Sequence, residues 1–269
     1  MAGSAKDLTD RVHKKPAAKN ISVMTIGSNI LFYETLESTN TTASSMLRNT
    51  DLAEGTVIQA AFQSSGRGQS GNGWQSESGR NLLISVVLYP GSVRPGEQFL
   101  ISMTISLGMC DFTDRYYKGS RIKWPNDIYV NNDKIAGILI ENSIMGDKIE
   151  SSVVGIGFNI NQEKFDAGIP NPASLKMITG MDHDTGICLK QMLASLDKRY
   201  KQLLYGDRET IRDEYFSRLY RAGEWHNYRS SGIEFKGKIS GILPSGKIMI
   251  EAKDGTLREF SFKEVNYIM

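Results

Sequence analysis

The sequence is poor in the residues that form disulfides, metal sites and nucleophilic triads. Its 269 residues include two cysteines and three histidines. Cys110 and Cys188 each belong to an apolar helical segment, so we expect buried thiols in a reducing cytoplasm. His13, His183 and His226 lie far apart in polar surroundings. We therefore expect neither a metal site nor a catalytic triad.

Long apolar runs and a strong net charge are also missing. No run approaches the roughly eighteen apolar residues of a membrane helix, and the N-terminus has no signal-peptide core. With 32 basic and 30 acidic residues the net charge is +2, which does not favour DNA or an anionic membrane as partner. We expect a cytoplasmic protein without DNA or membrane partners, in which any anion site is local.

The chain divides into three parts. Residues 1–28 are largely polar, begin without hydrophobic periodicity, and are expected to be a disordered tail or a remnant of expression. No periodic segment long enough for a DNA-binding helix-turn-helix precedes the main pattern. We expect a main domain over residues 29–222 and a small β domain over residues 223–269.

The periodicity of the main part predicts strands and helices in one α+β domain. We predict strands at 29–36, 55–63, 81–89, 121–124, 128–130, 134–141 and 152–161, and helices at 41–48, 98–117, 188–205 and 207–220. Beyond residue 224, short strands at 232–243, 247–252 and 256–262 predict a small β-barrel that leans on the main domain for its core.

A glycine-rich run with one arginine follows the second predicted strand. Residues 62–74 read Phe-Gln-Ser-Ser-Gly-Arg-Gly-Gln-Ser-Gly-Asn-Gly-Trp, and we call residues 64–74 the glycine loop. Glycines let backbone N–H groups come close to an anion, and Arg67 adds a planar, two-pronged cation. The loop therefore suits a phosphate or a carboxylate, although an isolated glycine run is equally compatible with a flexible surface loop.

The glycine spacing also matches the G-x-G-x-x-G pattern of a dinucleotide-binding turn. That turn must open a helix, but residues 75–80 cannot begin an amphipathic helix and a strand follows them. The sequence contains no G-x-x-x-x-G-K-[ST] pattern either. A Rossmann turn and a Walker loop are both excluded.

A second polar cluster reads Lys-Trp-Pro-Asn-Asp at 123–127, with Lys134 seven residues later. Pro125 ends the strand and leaves Asn126 and Asp127 at the rim of the sheet. Surface salt bridging is the alternative for this cluster. In the same way, helix capping is the alternative role for Ser38 and Thr39, which precede the first predicted helix.

Together these motifs resemble the catalytic region of biotin protein ligases, over about residues 29–269. The matching pieces are Glu-Ser-Thr-Asn at 37–40, the loop at 63–74, the run at 123–127, Lys-Ile-Ala-Gly at 134–137, Gly-Ile-Gly-Phe-Asn at 155–159, Ala-Ser-Leu at 173–175 and the terminal β module. The family loop commonly spells Gly-Arg-Gly-Arg-x-Gly-Arg, whereas this chain has Gln69 and Asn72 at the later arginine positions. The chain looks like the short form that lacks a DNA-binding domain.

The resemblance implies a fold and a set of site residues. The fold is a mixed central sheet packed by helices, as in class II synthetases, with an SH3-like C-terminal barrel. The implied substrate-binding residues are Ser38, Thr39, Asn40, Gln63, Gly66, Arg67, Gly68, Gln69, Trp74, Lys134, Gly137 and Gly155; the nucleotide-binding residues are Lys123, Asn126 and Asn159; and the catalytic residues are Lys134, Arg67 and Asp127. Arg67 and Lys134 are expected to face one cavity.

The resemblance also implies a reaction. Biotin and ATP, with Mg²⁺, give biotinyl-AMP, and a lysine of a biotin carboxyl carrier protein or domain then takes the biotin. The alternatives are a lipoate or octanoate protein ligase or transferase, and a non-catalytic regulator that senses biotin. The run at 123–127 and the β module favour biotin. The sequence leaves open whether the chain forms a homodimer.

Overall fold

The structure is a computed structural model that describes residues 24–268. Most of the predicted tail therefore lies outside the described residues. Its last part is packed, because the side chain of Ile26 is fully buried and the N–H groups of Thr25 and Ile26 donate to the Asp197 carboxylate at 2.8 and 2.9 Å. The packed chain thus begins before residue 29.

A seven-stranded mixed sheet forms the centre of the main domain, as predicted. Its strands are β1 (Ile30–Leu36), β2 (Val57–Gln63), β3 (Leu82–Leu88), β4 (Arg121–Lys123), β5 (Asp127–Val130), β6 (Asp133–Met145) and β7 (Lys148–Phe158). They lie in the order β1-β2-β3-β7-β6-β5-β4. Only β1 and β2 pair in parallel, since a helix connects them, and the other neighbours are antiparallel.

Within residues 24–268, five α-helices accompany the sheet. They are α1 (Thr39–Asn49), α2 (Phe99–Thr113), α3 (Leu175–Thr179), α4 (Thr185–Leu204) and α5 (Arg208–Ser217). Helix α2 is apolar on most sides and nearly all of it is buried, in agreement with its sequence pattern. At Gly108 it lies so close to α4 that a Cβ there would sit 2.9 Å from Leu196 Cδ2. None of the helices in the described part of the chain is long and apolar enough to cross a bilayer.

The C-terminal part is a five-stranded antiparallel sheet that is not closed into a barrel. Its strands are β8 (Trp225–Ser230), β9 (Ile233–Ile242), β10 (Ile248–Ala252), β11 (Leu257–Phe260) and β12 (Asn266–Tyr267), in the order β11-β10-β9-β8-β12. The prediction of a closed barrel is wrong, because the end strands β11 and β12 are short and pair only with their inner neighbours.

The small sheet leans on the main domain, as its composition predicts. The Trp124 indole N–H donates to the Gly246 carbonyl at 2.9 Å, and the Trp124 ring packs against Phe262 with centroids 5.2 Å apart. This contact brings residues 262–267 beside the run at 123–127. Both parts of the chain therefore contribute to the same cavity.

Candidate active site

A cavity of about 460 Å³ opens where the ends of β2, β5 and β6 meet the glycine loop. Its walls include Arg67 and Lys134, so the two cations face one cavity. The predicted residues that line it are Ser38, Thr39, Asn40, Gln63, Arg67, Gly68, Gln69, Trp74, Lys123, Asn126, Asp127, Lys134, Gly137 and Gly155. Gly66 lines a neighbouring cavity behind the loop, and Asn159 lines another beside Lys134.

The floor of the cavity is formed by the first residues of α1. Ser38 is the N-cap of the helix, yet its side chain makes no capping bond, so capping does not occupy it. The Thr39 N–H and hydroxyl both reach Gln63 Oε1, at 2.7 and 3.1 Å. Thr39 and Asn40 are buried, and so the start of α1 presents neutral polar groups to the cavity.

Ser85, which the sequence patterns did not single out, lies beneath this floor. Its hydroxyl is 2.8 Å from Thr39 Oγ1 and 2.6 Å from Asn40 Oδ1. Three contacts between oxygen atoms occur here, because the Thr39 hydroxyl also approaches Gln63 Oε1. Only two hydroxyl protons, those of Ser85 and Thr39, are available to form hydrogen bonds in these three contacts. The floor therefore has more acceptor oxygens than protons and suits a ligand that brings N–H groups. The signal in the sequence is a single serine in the apolar strand β3.

Glu141 is a second site residue that the sequence patterns missed. It pairs with Arg67, with Nη2 and Oε1 2.7 Å apart, and its Oε2 accepts from Asn40 Nδ2 at 2.8 Å. The carboxylate thus touches both the glycine loop and the floor. Its only signal in the sequence is an acidic residue at the end of the apolar run in β6.

Three glycines of β6 and β7 leave room for side chains of the protein itself. A Cβ on Gly155 would lie 2.2 Å from Asn40 Oδ1, and a Cβ on Gly157 would lie 2.3 Å from the Trp74 ring. A Cβ on Gly137 would lie 3.0 Å from Trp74 Cζ3. The closest groups at these positions are the side chains of Asn40 and Trp74.

The glycine loop is closed by its own backbone bonds. The Gly68 N–H donates to the Asn72 carbonyl at 2.7 Å, and the Trp74 N–H donates to the Gly66 carbonyl at 2.9 Å. The Gly68 N–H is therefore engaged inside the loop. The Trp74 indole lies across the sheet, with Lys134 Nζ 5.7 Å from its ring centroid, and its Nε1 is buried without a partner.

The opposite wall carries two lysines and one carboxylate. Lys134 Nζ lies 2.7 Å from Asp127 Oδ1. Lys123 Nζ lies 3.0 Å from the Tyr129 hydroxyl and 5.3 Å from the Tyr267 ring centroid. Burial lowers the pKa of the Lys123 ammonium, and the charge of Lys134 lowers it further, while Asp127 acts in the opposite direction.

Two predicted nucleotide-binding amides also hold backbone in place. Asn126 Nδ2 donates to the Ile138 carbonyl, and Asn159 Nδ2 donates to the Ala173 carbonyl at 2.9 Å. Asn159 Oδ1 is buried and has no partner. Each amide therefore fixes one wall of the cavities around Lys134.

Comparisons with known proteins agree with this geometry. The sequence model of the biotin/lipoate A/B protein ligase family matches residues 32–159. The chain is 28% identical over 244 residues to the bifunctional ligase/repressor BirA of Bacillus subtilis, covering 88% of this chain and 73% of that protein. It is 29% identical over 208 residues to the biotin–[acetyl-CoA-carboxylase] ligase of Paracoccus denitrificans, covering 74% of this chain and 85% of that protein. The chain is thus similar to the biotin/lipoate A/B protein ligase family.

The resemblance to the biotin protein ligases is confirmed. The fold agrees as well. The biotin protein ligase of Aquifex aeolicus, solved in complex with biotin and ATP, is similar with a TM-score of 0.75 at 24% identity, covering 90% of this chain and all of that one. The named relatives are biotin ligases, so the lipoate alternative is not favoured.

Proposed function

We propose that the protein is an ATP-dependent ligase that forms biotinyl-AMP from biotin and ATP and transfers biotin to a lysine of a biotin carboxyl carrier domain. One observation carries the proposal. A single cavity combines an acceptor-rich neutral floor with Arg67 and Lys134. The floor suits the N–H groups of the biotin ureido ring, and the two cations suit a carboxylate and a phosphate.

In the first step a biotin carboxylate oxygen attacks the α-phosphorus of ATP, and pyrophosphate leaves. Two anions must approach each other, and at about 4 Å their repulsion is about 4 kcal/mol for an effective dielectric near 20. Lys134 and Arg67 lie on the cavity wall and supply positive charge to offset this repulsion. Correct positioning of the two substrates can lower the activation barrier further only after this repulsion has been offset.

Asp127 is the residue that would hold Mg²⁺. Its carboxylate lines the cavity, and one protein carboxylate together with substrate phosphates is a common set of Mg²⁺ ligands. No group of three or more acidic, histidine or cysteine side chains suited to a metal occurs within residues 24–268, so the remaining ligands would come from the nucleotide and water. Bound there, the ion would add positive charge beside the phosphates.

In the second step a neutral lysine amine of the carrier attacks the carbonyl carbon of the adenylate, and AMP leaves. A protonated amine is not a nucleophile, so a proton must be lost first. Asp127, in the same wall as Lys134, is our candidate to accept or orient that proton. The glycine loop would meanwhile keep water away from the reactive anhydride.

The acceptor belongs to the proposal as well. The name of the Paracoccus relative specifies acetyl-CoA carboxylase, which supports a carboxylase carrier domain as the partner of this chain. A cytoplasmic location is a further part of the proposal.

The proposed function is tested by incubating the full chain with labelled biotin, ATP, Mg²⁺ and a carrier domain. We expect label on the carrier and AMP release that depends on biotin. If lipoate or octanoate is a better substrate than biotin, this result would favour the lipoate alternative. Tight biotin binding without AMP release would favour the non-catalytic regulator.

The two missing loop arginines give a separate prediction. Gln69 and Asn72 both line the cavity and are neutral. We expect the variant with Gln69→Arg and Asn72→Arg to release preformed biotinyl-AMP about three- to ten-fold more slowly, because each exposed cation adds a modest attraction for the phosphate. A chase of labelled adenylate with unlabelled biotin and ATP measures the release rate.

The matched control is Ser92→Arg, which adds an arginine at an exposed position outside the cavity lining. It should release the adenylate at the wild-type rate. Equal release from the double variant and wild type would mean that charge at positions 69 and 72 does not retain the intermediate.

A further inference from the structure

The guanidinium of Arg67 is already bound to a carboxylate. Its Nη2 donates to Glu141 Oε1 at 2.7 Å and its Nη1 to Oε2 at 3.3 Å. This two-pronged geometry is the one that arginine uses for the carboxylate or phosphate of a ligand. One binding face of Arg67 is therefore occupied by the protein.

Glu141 also determines the orientation of the buried Asn40 amide in the floor of the cavity. Its Oε2 and the Leu139 carbonyl both accept from Asn40 Nδ2, at 2.8 and 3.3 Å. The amide of Asn40 must therefore direct its nitrogen toward Glu141 and its oxygen toward Ser85. The flipped amide would bring its oxygen against the carboxylate.

The pair between Arg67 and Glu141 can exchange with a ligand. The two side chains are 47% and 34% exposed, and ion pairs with this exposure are weak. Separating them costs little, so an incoming anion can take over the guanidinium. The Asn40 contact meanwhile keeps the Glu141 carboxylate close to the floor.

We infer that Glu141 is a positioning residue that pairs with Arg67 at the cavity wall, where a ligand's anion would bind, and that keeps the Asn40 amide in its binding orientation. This inference rests on the proposed function, in which Arg67 binds the biotin carboxylate. Glu141 then competes with that carboxylate for Arg67. The competition lowers the affinity for an acid but not for a neutral ligand of the same shape.

Glu141→Gln tests the inference, because glutamine keeps an acceptor for Asn40 and removes the charge. Calorimetric titrations of the full chain with biotin and with biotinamide compare an acid with its neutral amide. We expect the Gln variant to bind biotin about three-fold more tightly than wild type and biotinamide equally well. In an Arg67→Gln background, the same change should leave both affinities as they are.

Glu234→Gln is the matched control. Glu234 forms an exposed pair with Arg229 in the C-terminal sheet, so its replacement should change neither titration. An equal change for biotin and biotinamide, or a change that persists without Arg67, would overturn the inference and leave the proposed function standing. Absence of biotin binding by the wild type would overturn both.

Discussion

Replacing Lys134 with alanine is expected to lower biotin-dependent ATP–pyrophosphate exchange by about a thousand-fold and to leave the fold intact. In the proposed reaction, Lys134 is one of the two cavity-lining cations at the place where the biotin carboxylate meets the α-phosphate. Two anions at about 4 Å repel by about 4 kcal/mol at an effective dielectric near 20, which corresponds to roughly three powers of ten in rate. Removal of this ammonium exposes the reaction to that repulsion.

The structure explains why the fold should survive. The Lys134 side chain is 29% exposed, and its structural contacts are made by the backbone. Its N–H donates to the Asn171 carbonyl at 2.7 Å, and its carbonyl accepts from the Ala173 N–H at 2.8 Å. Alanine keeps both bonds, so the thermal midpoint should stay within a few degrees of the wild-type value.

Two further variants separate the charge of Lys134 from other effects. Lys148→Ala removes an exposed lysine from the neighbouring strand β7 and should exchange pyrophosphate at the wild-type rate. Lys134→Ala also leaves Asp127 without its partner, which adds an uncompensated negative charge. Lys134→Arg keeps a cation beside Asp127 and should therefore retain more exchange than Lys134→Ala. Near-normal exchange by Lys134→Ala alone would remove Lys134 from the mechanism.

The sequence predicted the main sheet well, because apolar runs separated by clear breaks determine it. The strands β2 and β3 and the helix α2 are apolar over most of their length, and their predicted ranges contain the observed ones. The elements it missed are short or polar. Strand β8 reads Trp-His-Asn-Tyr-Arg-Ser, helix α3 has five residues and β12 has two. Such segments depend on their neighbours more than on their own pattern.

The candidate site was predictable only in part. The two motifs carry their own chemistry, so the cations Arg67 and Lys134 could be named from the sequence. Ser85 and Glu141 could not, because their roles depend on which strands are neighbours. Ser85 lies opposite Gly155 on β7, and Leu139 lies opposite Gly155 on its other side. This strand pairing determines which residues surround the floor of the cavity. It cannot be read from the sequence alone.

The residues that surround Gly155 explain why this position requires glycine. Asn40 Oδ1 occupies the space of a Cβ at Gly155, and its amide bonds to Ser85 on one side and to Leu139 and Glu141 on the other. A methyl group would push this buried amide away and break three hydrogen bonds. At about 1 kcal/mol each, their loss lowers the free energy of unfolding by about 3 kcal/mol, and the displaced amide is withdrawn from the binding floor.

Gly155→Ala is therefore expected to weaken biotin binding by about ten-fold, because a hydrogen bond from the Asn40 amide to the ligand is lost, and to lower the free energy of unfolding by about 3 kcal/mol through overpacking and the lost internal hydrogen bonds. Calorimetric titration and thermal unfolding measure the two effects. Gly91→Ala, where no atom lies within 4 Å of the added Cβ, is the control and should change neither. Combining Gly155→Ala with Asn40→Ala removes the clash but not the loss of the three hydrogen bonds, so stability should recover only in part while biotin affinity stays low. If Gly155→Ala binds biotin like the wild type, the Asn40 amide is not part of the binding floor.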